Sequence, residues 1–258
     1  MKILPDDELK SFLDSKFIEF NQPSFIENDP ISVPHQFDRK EDIEIAAFLT
    51  ATLSWGNRNT IIKNSNRLMK EMGYYPHEFI TNAGENDLNA FDRFVHRTFN
   101  GTDTRFFIRS LSNIYCNHEG LEGVFSSGYS ETGNLSGALT HFRKILLEAK
   151  HEKRSEKHVA DVSAKSSGKR LCMFLRWMVR NDNHGVDFGL WKTIPPSSLM
   201  LPLDVHTGNI SRKLGLLTRK QNDWLAVEEV TARLRTFDPD DPVKYDFALF
   251  GLGINNEL

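Results

Sequence analysis

The chain has 258 residues, of which 39% are hydrophobic and 26% are charged, and its formal net charge is −3. This composition supports a folded core and excludes a disordered chain. No apolar run approaches the roughly 20 residues that span a bilayer, and the N-terminal segment has no apolar signal region. We therefore expect a cytoplasmic protein without a membrane partner. Two cysteines are too few for a four-cysteine iron–sulfur or zinc site.

Helical periodicity dominates the first half of the chain. Apolar residues predict a largely buried helix over 43–53 and a second helix over 61–69, before a turn at 73–76. The same spacing predicts helices over 106–115 and 139–147. Strand-like alternation is scarce, so the sequence predicts an all-α fold.

The second half begins with a charged, Ser- and Lys-rich connector over 150–168. A helix with one apolar face follows and stops at the turn-forming cluster 181–185. Asp204 is the predicted N-cap of a helix over 205–214 that Gly215 closes. A final helix contains Phe247 and Phe250.

Charge is unevenly distributed along the chain. Between Lys150 and Arg180 there are nine Lys or Arg residues and three acids, a local charge of +6 that leaves −9 for the remainder. A basic stretch on an acidic body favours a localised contact with a polyanion. The alternative is a charge-rich surface that is simply solvated.

Three segments, in order, resemble the helix-hairpin-helix DNA glycosylase superfamily, the endonuclease III-like fold. They are residues 48–58 (FLTATLSWGNR), 167–171 (SGKRL) and 202–216 (PLDVHTGNISRKLGL). The third segment is the most specific, because it is similar to the part of the family that carries a catalytic aspartate. Within the superfamily, the chain resembles a bacterial group of conserved hypothetical proteins that is reminiscent of the archaeal 8-oxoguanine DNA glycosylases.

The hairpin segment departs from the family pattern. Only Gly168 is a clear hairpin glycine, and Lys169 follows it directly where the family has one residue between them. Lys165 and Arg170 are therefore rivals for the hairpin position. The interval of 35 positions between Lys169 and Asp204 is long, as it is in the archaeal 8-oxoguanine branch.

The resemblance implies two helical lobes with a cleft between them. One lobe would comprise residues 42–180 with the hairpin and Lys169, and the other would join 1–41 to 181–258 with Asp204. The two residues would then face each other from opposite lobes. The resemblance implies no cofactor, and no iron–sulfur cluster is expected.

Lys169 and Asp204 are the predicted catalytic residues. A fixed carboxylate stabilises the positive charge that develops on a sugar when its base leaves, and a helix N-terminus would keep Asp204 ionised. A lysine amine with a lowered pKa can attack the anomeric carbon and form a Schiff base. The alternatives are that Asp204 is only an N-cap and that Lys169 is a surface lysine that contacts phosphate.

The remaining predicted site residues would contact DNA. The amides after Gly168 and a helix N-terminus suit a phosphate, whereas Trp55 and its neighbours would enter the gap left by an extruded base. Each also has a structural alternative as a cap, a core aromatic or a solvated charge. The predicted DNA contacts are Ser54, Trp55, Asn57, Arg58, Ser166, Gly168, Arg170, His206 and Arg212. His206 has no second histidine at ligand spacing, so no metal is expected.

The predicted function is therefore base-excision DNA repair. The enzyme would be a glycosylase with AP-lyase activity that removes an oxidised base, 8-oxoguanine first, from duplex DNA. One alternative is a DNA- or RNA-binding protein that kept the fold and lost the chemistry, and another is a helical protein-interaction module. The sequence does not predict the oligomeric state.

Overall fold

The computed structural model describes residues 4–255. Helix accounts for 64% of the chain, which confirms the predicted all-α class. The helices are α1 (Asp6–Phe20), α2 (Ser24–Glu27), α3 (Lys40–Leu53), α4 (Arg58–Glu71), α5 (Pro76–Asn82), α6 (Gly101–Asn117), α7 (Gly120–Thr132), α8 (Leu135–Leu146), α9 (Lys169–Val179), α10 (Val205–Lys213), α11 (Trp224–Arg235) and α12 (Tyr245–Asn255). Strands β1 (Val95–His96) and β2 (Phe99–Asn100) form a short antiparallel hairpin.

The chain divides into two compact units. The middle unit is Glu27–Asp161, and the terminal unit joins the segment up to Ile26 to the segment from Val162 onward. The helices predicted over 43–53, 61–69, 106–115 and 139–147 correspond to α3, α4, α6 and α8 of the middle unit. Among the residues that the structure describes, no helix combines the length and the apolar character needed to cross a bilayer.

Aromatic side chains fill the core of the middle unit. Helix α3 is buried from Asp42 to Leu53, which explains its nearly continuous apolar sequence. The Phe48 ring packs on Phe107 and Phe142, with centroids 5.9 and 5.4 Å away, and Phe125 stacks on Phe142 at 4.3 Å. These contacts join α3, α6, α7 and α8 through one cluster.

The terminal unit is built around α12, on which α1 and α10 pack. A Cβ atom at Gly251 would lie 2.2 Å from the Phe20 ring, so α1 approaches α12 too closely for any larger residue. A Cβ atom at Gly253 would lie 3.2 Å from the His206 Cβ of α10. Helix α12 therefore lies between α1 and the helix that Asp204 opens.

A buried polar cluster fixes the predicted connector onto α6. The fully buried Asp103 carboxylate accepts hydrogen bonds from Ser155 Oγ at 2.6 Å and Arg154 Nη1 at 2.8 Å. It also lies 3.3 Å from Nε2 of buried His158. These three partners belong to a 3-10 segment, Lys153–His158, within the connector. Burial opposes ionisation of Asp103, but hydrogen bonds from Ser155 and the Asn100 amide outweigh it and lower its pKa.

We expect Asp103→Ala to cost about 1–3 kcal/mol of unfolding free energy, because it leaves the buried Ser155 hydroxyl and His158 ring without the carboxylate beside them. Glu85→Ala removes the exposed carboxylate of the Arg109–Glu85 pair and should cost much less, because water and salt screen an exposed ion pair. Since the folded pKa of Asp103 is lowered, its contribution should be complete above about pH 4 and should fall as pH drops through the folded pKa. Urea unfolding at several pH values tests this, and equal losses for the two variants would contradict it.

Candidate functional site

The loop before α9 has the backbone conformation that its sequence requires. Lys165 and Gly168 both have positive φ, 68° and 62°. A Cβ atom at Gly168 would lie 3.1 Å from Val162 Cγ1 and 3.5 Å from the Trp224 ring. Glycine therefore suits this position for both its backbone angle and its close packing.

Hydrogen bonds attach this loop to the start of α11. Ser166 forms an isolated antiparallel bridge with Asp223, and the Trp224 amide donates to the Lys165 carbonyl at 3.4 Å. The Ser166 hydroxyl accepts from the Gly168 amide at 3.3 Å. The side chain of Ser166 is thus used within the loop, and the loop delivers the chain directly into α9.

Lys169 is the first residue of α9, as the sequence predicted. It is half-buried, and its Nζ lies 3.4 Å from Met173 Sδ. Lys165, the rival nucleophile, is exposed. Of these two lysines, Lys169 is the one that combines a helix start with partial burial.

Asp204 caps α10, as predicted. Its Oδ1 accepts the amides of His206 at 2.8 Å and Thr207 at 3.0 Å, and the Asp204 amide donates in turn to the Thr207 hydroxyl at 2.9 Å. Asn222 Nδ2 also donates to the Asp204 carbonyl at 2.8 Å. All of the capping bonds use Oδ1, and no described residue donates a hydrogen bond to Oδ2.

A third residue, Asp246, responds to the charges of both Lys169 and Asp204, and the sequence reasoning missed it. Asp246 is the second residue of α12 and is 5% exposed. Burial raises its pKa to about 6. The Arg176 guanidinium and the Lys169 ammonium oppose the rise, and the Asp204 carboxylate adds to it. The charges of Lys169 and Asp204 therefore act in opposite directions on the pKa of this buried carboxyl.

Two buried arginines hold α9 against α12 and the loops around it. Arg176 pairs with Asp187 at 3.2 Å and with Asp246. Arg180 pairs with Asp182 at 2.7 Å, Asp241 at 2.8 Å and Asp187 at 3.0 Å. Two guanidinium groups thus face four carboxyl groups. Burial raises the pKa of Asp241, as it does that of Asp246.

The terminal unit has no cysteine suited to nucleophilic chemistry among its described residues. Burial, with a contribution from the Asp246 charge, raises the pKa of the Cys172 thiol to about 12, so it remains protonated at neutral pH. Cys116 lies in the other unit, on α6, and is exposed. No group of three or more potential metal ligands occurs among residues 4–255.

The predicted contacts before α4 belong to the middle unit, and most of them have structural roles. The Ser54 hydroxyl donates to the Thr50 carbonyl at 2.8 Å, and Asn57 caps α4 by accepting the Thr60 amide. Trp55 is half-buried, with its ring edge-on to His96 at 4.8 Å and stacked on His158 at 5.8 Å. The Trp55 ring therefore packs on His158, a member of the Asp103 cluster. Arg58 is the half-buried first residue of α4.

The other predicted DNA contacts lie in the terminal unit. His206 is exposed at the second position of α10. Burial lowers the pKa of Arg170 to about 10, so this side chain is more enclosed than a surface phosphate contact. Arg212 donates to the Arg219 carbonyl at 2.8 Å and to Asn222 Oδ1 at 2.6 Å. Since Asn222 in turn donates to Asp204, Arg212 supports the catalytic candidate indirectly.

The basic stretch 150–180 is not one positive surface. Its arginines 154, 176 and 180 are committed to aspartates, and the stretch crosses the boundary between the two units. The exposed members are Lys150, Lys153, Lys157 and Lys165. The net charge of the sequence segment therefore overstates the charge available to a polyanion.

The two compact units differ from the two lobes that the resemblance implied, which were 42–180 and 1–41 joined to 181–258. Helix α9 lies in the same unit as α10 and α12, because Arg176 and Arg180 bind aspartates that follow α9 in the chain. Lys169 and Asp204 are consequently members of one unit.

Together, these elements define an all-α protein with a lysine at the start of α9, a capping aspartate before α10 and a buried aspartate at the start of α12. The chain belongs to DUF2400, a family described as proteins of unknown function, whose model matches residues 29–255. Comparisons with curated proteins and with solved structures gave no match.

Gly168→Ala should destabilise the protein more than Gly185→Ala. Both positions have positive φ, which costs an alanine about 1–2 kcal/mol, but a Cβ at Gly185 meets nothing within 4 Å. Crowding against Val162 should add about 1 kcal/mol at Gly168. Unfolding of the two variants in urea measures the difference, and equal losses would show that the close packing at Gly168 is unimportant.

Proposed function

We propose that the protein is a base-excision DNA glycosylase with AP-lyase activity that removes an oxidised base, such as 8-oxoguanine, from duplex DNA. The proposal rests mainly on one observation: Lys169 is the first residue of α9 and Asp204 is the N-cap of α10, and both helices belong to one compact unit. Residues 35 positions apart in sequence would then supply the amine and the carboxylate of one site. The resemblance of segment 202–216 to the catalytic segment of the family supports the same roles.

Lys169 would be the nucleophile. Its neutral amine attacks the anomeric carbon of the damaged nucleotide, the glycosidic C–N bond breaks, and the base leaves with the bonding electrons and takes up a proton. Opening of the sugar ring then gives an imine between Nζ and that carbon, with the ring oxygen protonated as a hydroxyl. β-Elimination of the 3′ phosphate from the imine would cleave the strand.

Asp204 would stabilise the positive charge that develops on the sugar. The cap uses Oδ1 for the amides of His206 and Thr207, which holds the carboxylate rigidly and leaves Oδ2 for the substrate. A preorganised charge of this kind is effective because it does not have to reorient during the reaction.

Lys169→Ala should abolish covalent trapping and leave binding nearly intact. Borohydride reduces the imine to a stable amine, so the wild-type chain should form a protein–DNA adduct on a duplex that contains 8-oxoguanine. Lys169→Ala should form none, whereas its duplex affinity should fall only by the contribution of one charge. Denaturing gel electrophoresis measures the adduct.

Lys165→Ala is the matched control, since it removes an exposed lysine from the same loop. Trapping that survives in Lys169→Ala and disappears in Lys165→Ala would show that Lys165 is the nucleophile. Excision without trapping would leave a glycosylase that uses water.

Asp204→Asn should bind the duplex normally and excise the base more slowly by a factor on the order of 100 or more. Asparagine also caps helices, so unfolding free energy should change little and a loss of fold would not explain the slower reaction. Single-turnover release of the base, measured beside urea unfolding, tests this. A rate within a factor of three of wild type would remove Asp204 from the mechanism.

The long interval between Lys169 and Asp204 supports an oxidised guanine as the substrate. A panel of duplexes that carry different lesions tests this choice. Release of uracil or alkylated bases, with 8-oxoguanine untouched, would overturn it and leave the glycosylase chemistry in place.

The second candidate is a DNA- or RNA-binding protein without chemistry. The exposed lysines of the stretch 150–180 and the half-buried Trp55 favour it, because neither feature requires a reaction. Salt-dependent duplex binding with neither excision nor trapping on any lesion would support this candidate over the enzyme.

A further inference from the structure

Helix α9 carries one stripe of long side chains from its first residue into the buried interior of the terminal unit. Lys169, Met173, Arg176 and Arg180 lie at intervals of four, three and four residues, so their side chains share one helical face. Lys169 Nζ contacts Met173 Sδ at 3.4 Å, and Arg176 binds Asp246 and Asp187 further along. The stripe therefore leads from the proposed nucleophile to Asp246.

The buried end of this stripe contains more acids than bases. Arg176 and Arg180 contact Asp182, Asp187, Asp241 and Asp246. Asp246 binds the arginine that lies nearer to Lys169, and Asp241 binds the farther one. Lys169 lies on the same helical face as Arg176, about two turns toward the start of α9.

We propose that Asp246 is a positioning residue for Lys169, whose buried carboxylate sets how readily the lysine ammonium loses its proton. This inference rests on the proposed function. An ionised Asp246 favours the ammonium form of Lys169, and an uncharged Asp246 favours the neutral, nucleophilic amine. The two groups would then titrate as a coupled pair. In agreement, the Lys169 charge opposes the rise in the pKa of Asp246.

Other charged groups face Asp246 from the elements around it. Helix α9 contributes Arg176, with which Asp246 forms an ion pair, and the Cys172 thiol, which stays protonated. Asp187 follows α9, and Asp204 precedes α10; both charges raise the pKa of Asp246. On the α1 side, Asp14 is already bound by Lys244 and the Tyr245 hydroxyl.

The test measures the pH dependence of Lys169 reactivity in the folded chain. Trace acetylation with acetic anhydride, followed by mass spectrometry, gives the pH at which the Lys169 amine is half reactive, with exposed Lys165 as the internal reference. Asp246→Asn should lower this midpoint by about half a unit to one unit. At a pH below the midpoint, trapping on the lesion duplex should then be about 3- to 10-fold faster than in wild type.

Asp187→Asn is the matched control. It removes an equally buried carboxylate that also binds Arg176, yet it should not lower the midpoint, because loss of the Asp187 charge favours ionisation of Asp246. A purely structural role for Asp246 would reduce stability in both variants and shift the midpoint in neither. An unchanged Lys169 midpoint in folded Asp246→Asn would overturn the inference.

A second measurement does not depend on the folding of the Asp246→Asn variant. The ¹³C signal of dimethylated Lys169 in the otherwise wild-type chain should show an inflection near pH 6, where Asp246 titrates. The inflection should persist in His206→Ala, since it does not come from that imidazole. A flat signal between pH 5 and 7 would overturn the inference.

The labelling experiments contain no DNA, so they separate the two proposals. Absence of any trapped adduct in wild type, beside the expected shift in Asp246→Asn, would reject the glycosylase and retain the Lys169–Asp246 coupling. The opposite result is trapping in wild type together with labelling and trapping profiles that do not shift in Asp246→Asn. It would retain the glycosylase and reject the Lys169–Asp246 coupling.

Discussion

The pairing of two buried arginines with four aspartates fixes the arrangement of the terminal unit. Burying a guanidinium is unfavourable unless carboxylates and hydrogen bonds compensate for the lost water. Arg176 and Arg180 are compensated by aspartates from three other parts of the unit: the segment after α9, the segment before α12, and α12 itself. This pairing fixes α9 against α12 and the segments that follow α9 and precede α12. The proposed site depends on that arrangement, since Lys169 lies on α9 and Asp246 on α12.

Local signals made much of this fold predictable. The Asp204 cap, Gly215 and the turn cluster 181–185 act within a few residues, so their effect can be read directly from sequence. Gly215 has a φ of 74°, the conformation expected after the last residue of a helix. The start of α9 at Lys169 follows from Gly168 in the same way. The nearly continuous run of apolar residues was sufficient to predict α3, because nearly every residue of that helix is buried.

Long-range pairing was not predictable from the same signals. Asp246 lies 70 positions from Arg176, and in sequence it resembles any aspartate near a helix start. Arg154, Arg176 and Arg180 increased the positive charge of the 150–180 stretch, although aspartates elsewhere in the chain neutralise them. A charge count treats each residue as exposed, whereas burial and pairing decide which charges reach a ligand. The same limitation affected Arg212, whose guanidinium holds a loop of its own unit.

The two interpretations of Asp204, structural cap and catalytic carboxylate, use different oxygen atoms. The hydrogen bonds to His206, Thr207 and the Thr207 hydroxyl all converge on Oδ1. A cap needs only one acceptor oxygen to satisfy the first amides of a helix, so the second oxygen is not required for stability. The rigid cap is also what a charge-stabilising carboxylate needs, because a fixed charge does not reorganise as the reaction proceeds. Asp246 differs in this respect, since its carboxylate is buried and bound by Arg176. In the proposed mechanism one aspartate would meet the substrate and the other would act on Lys169.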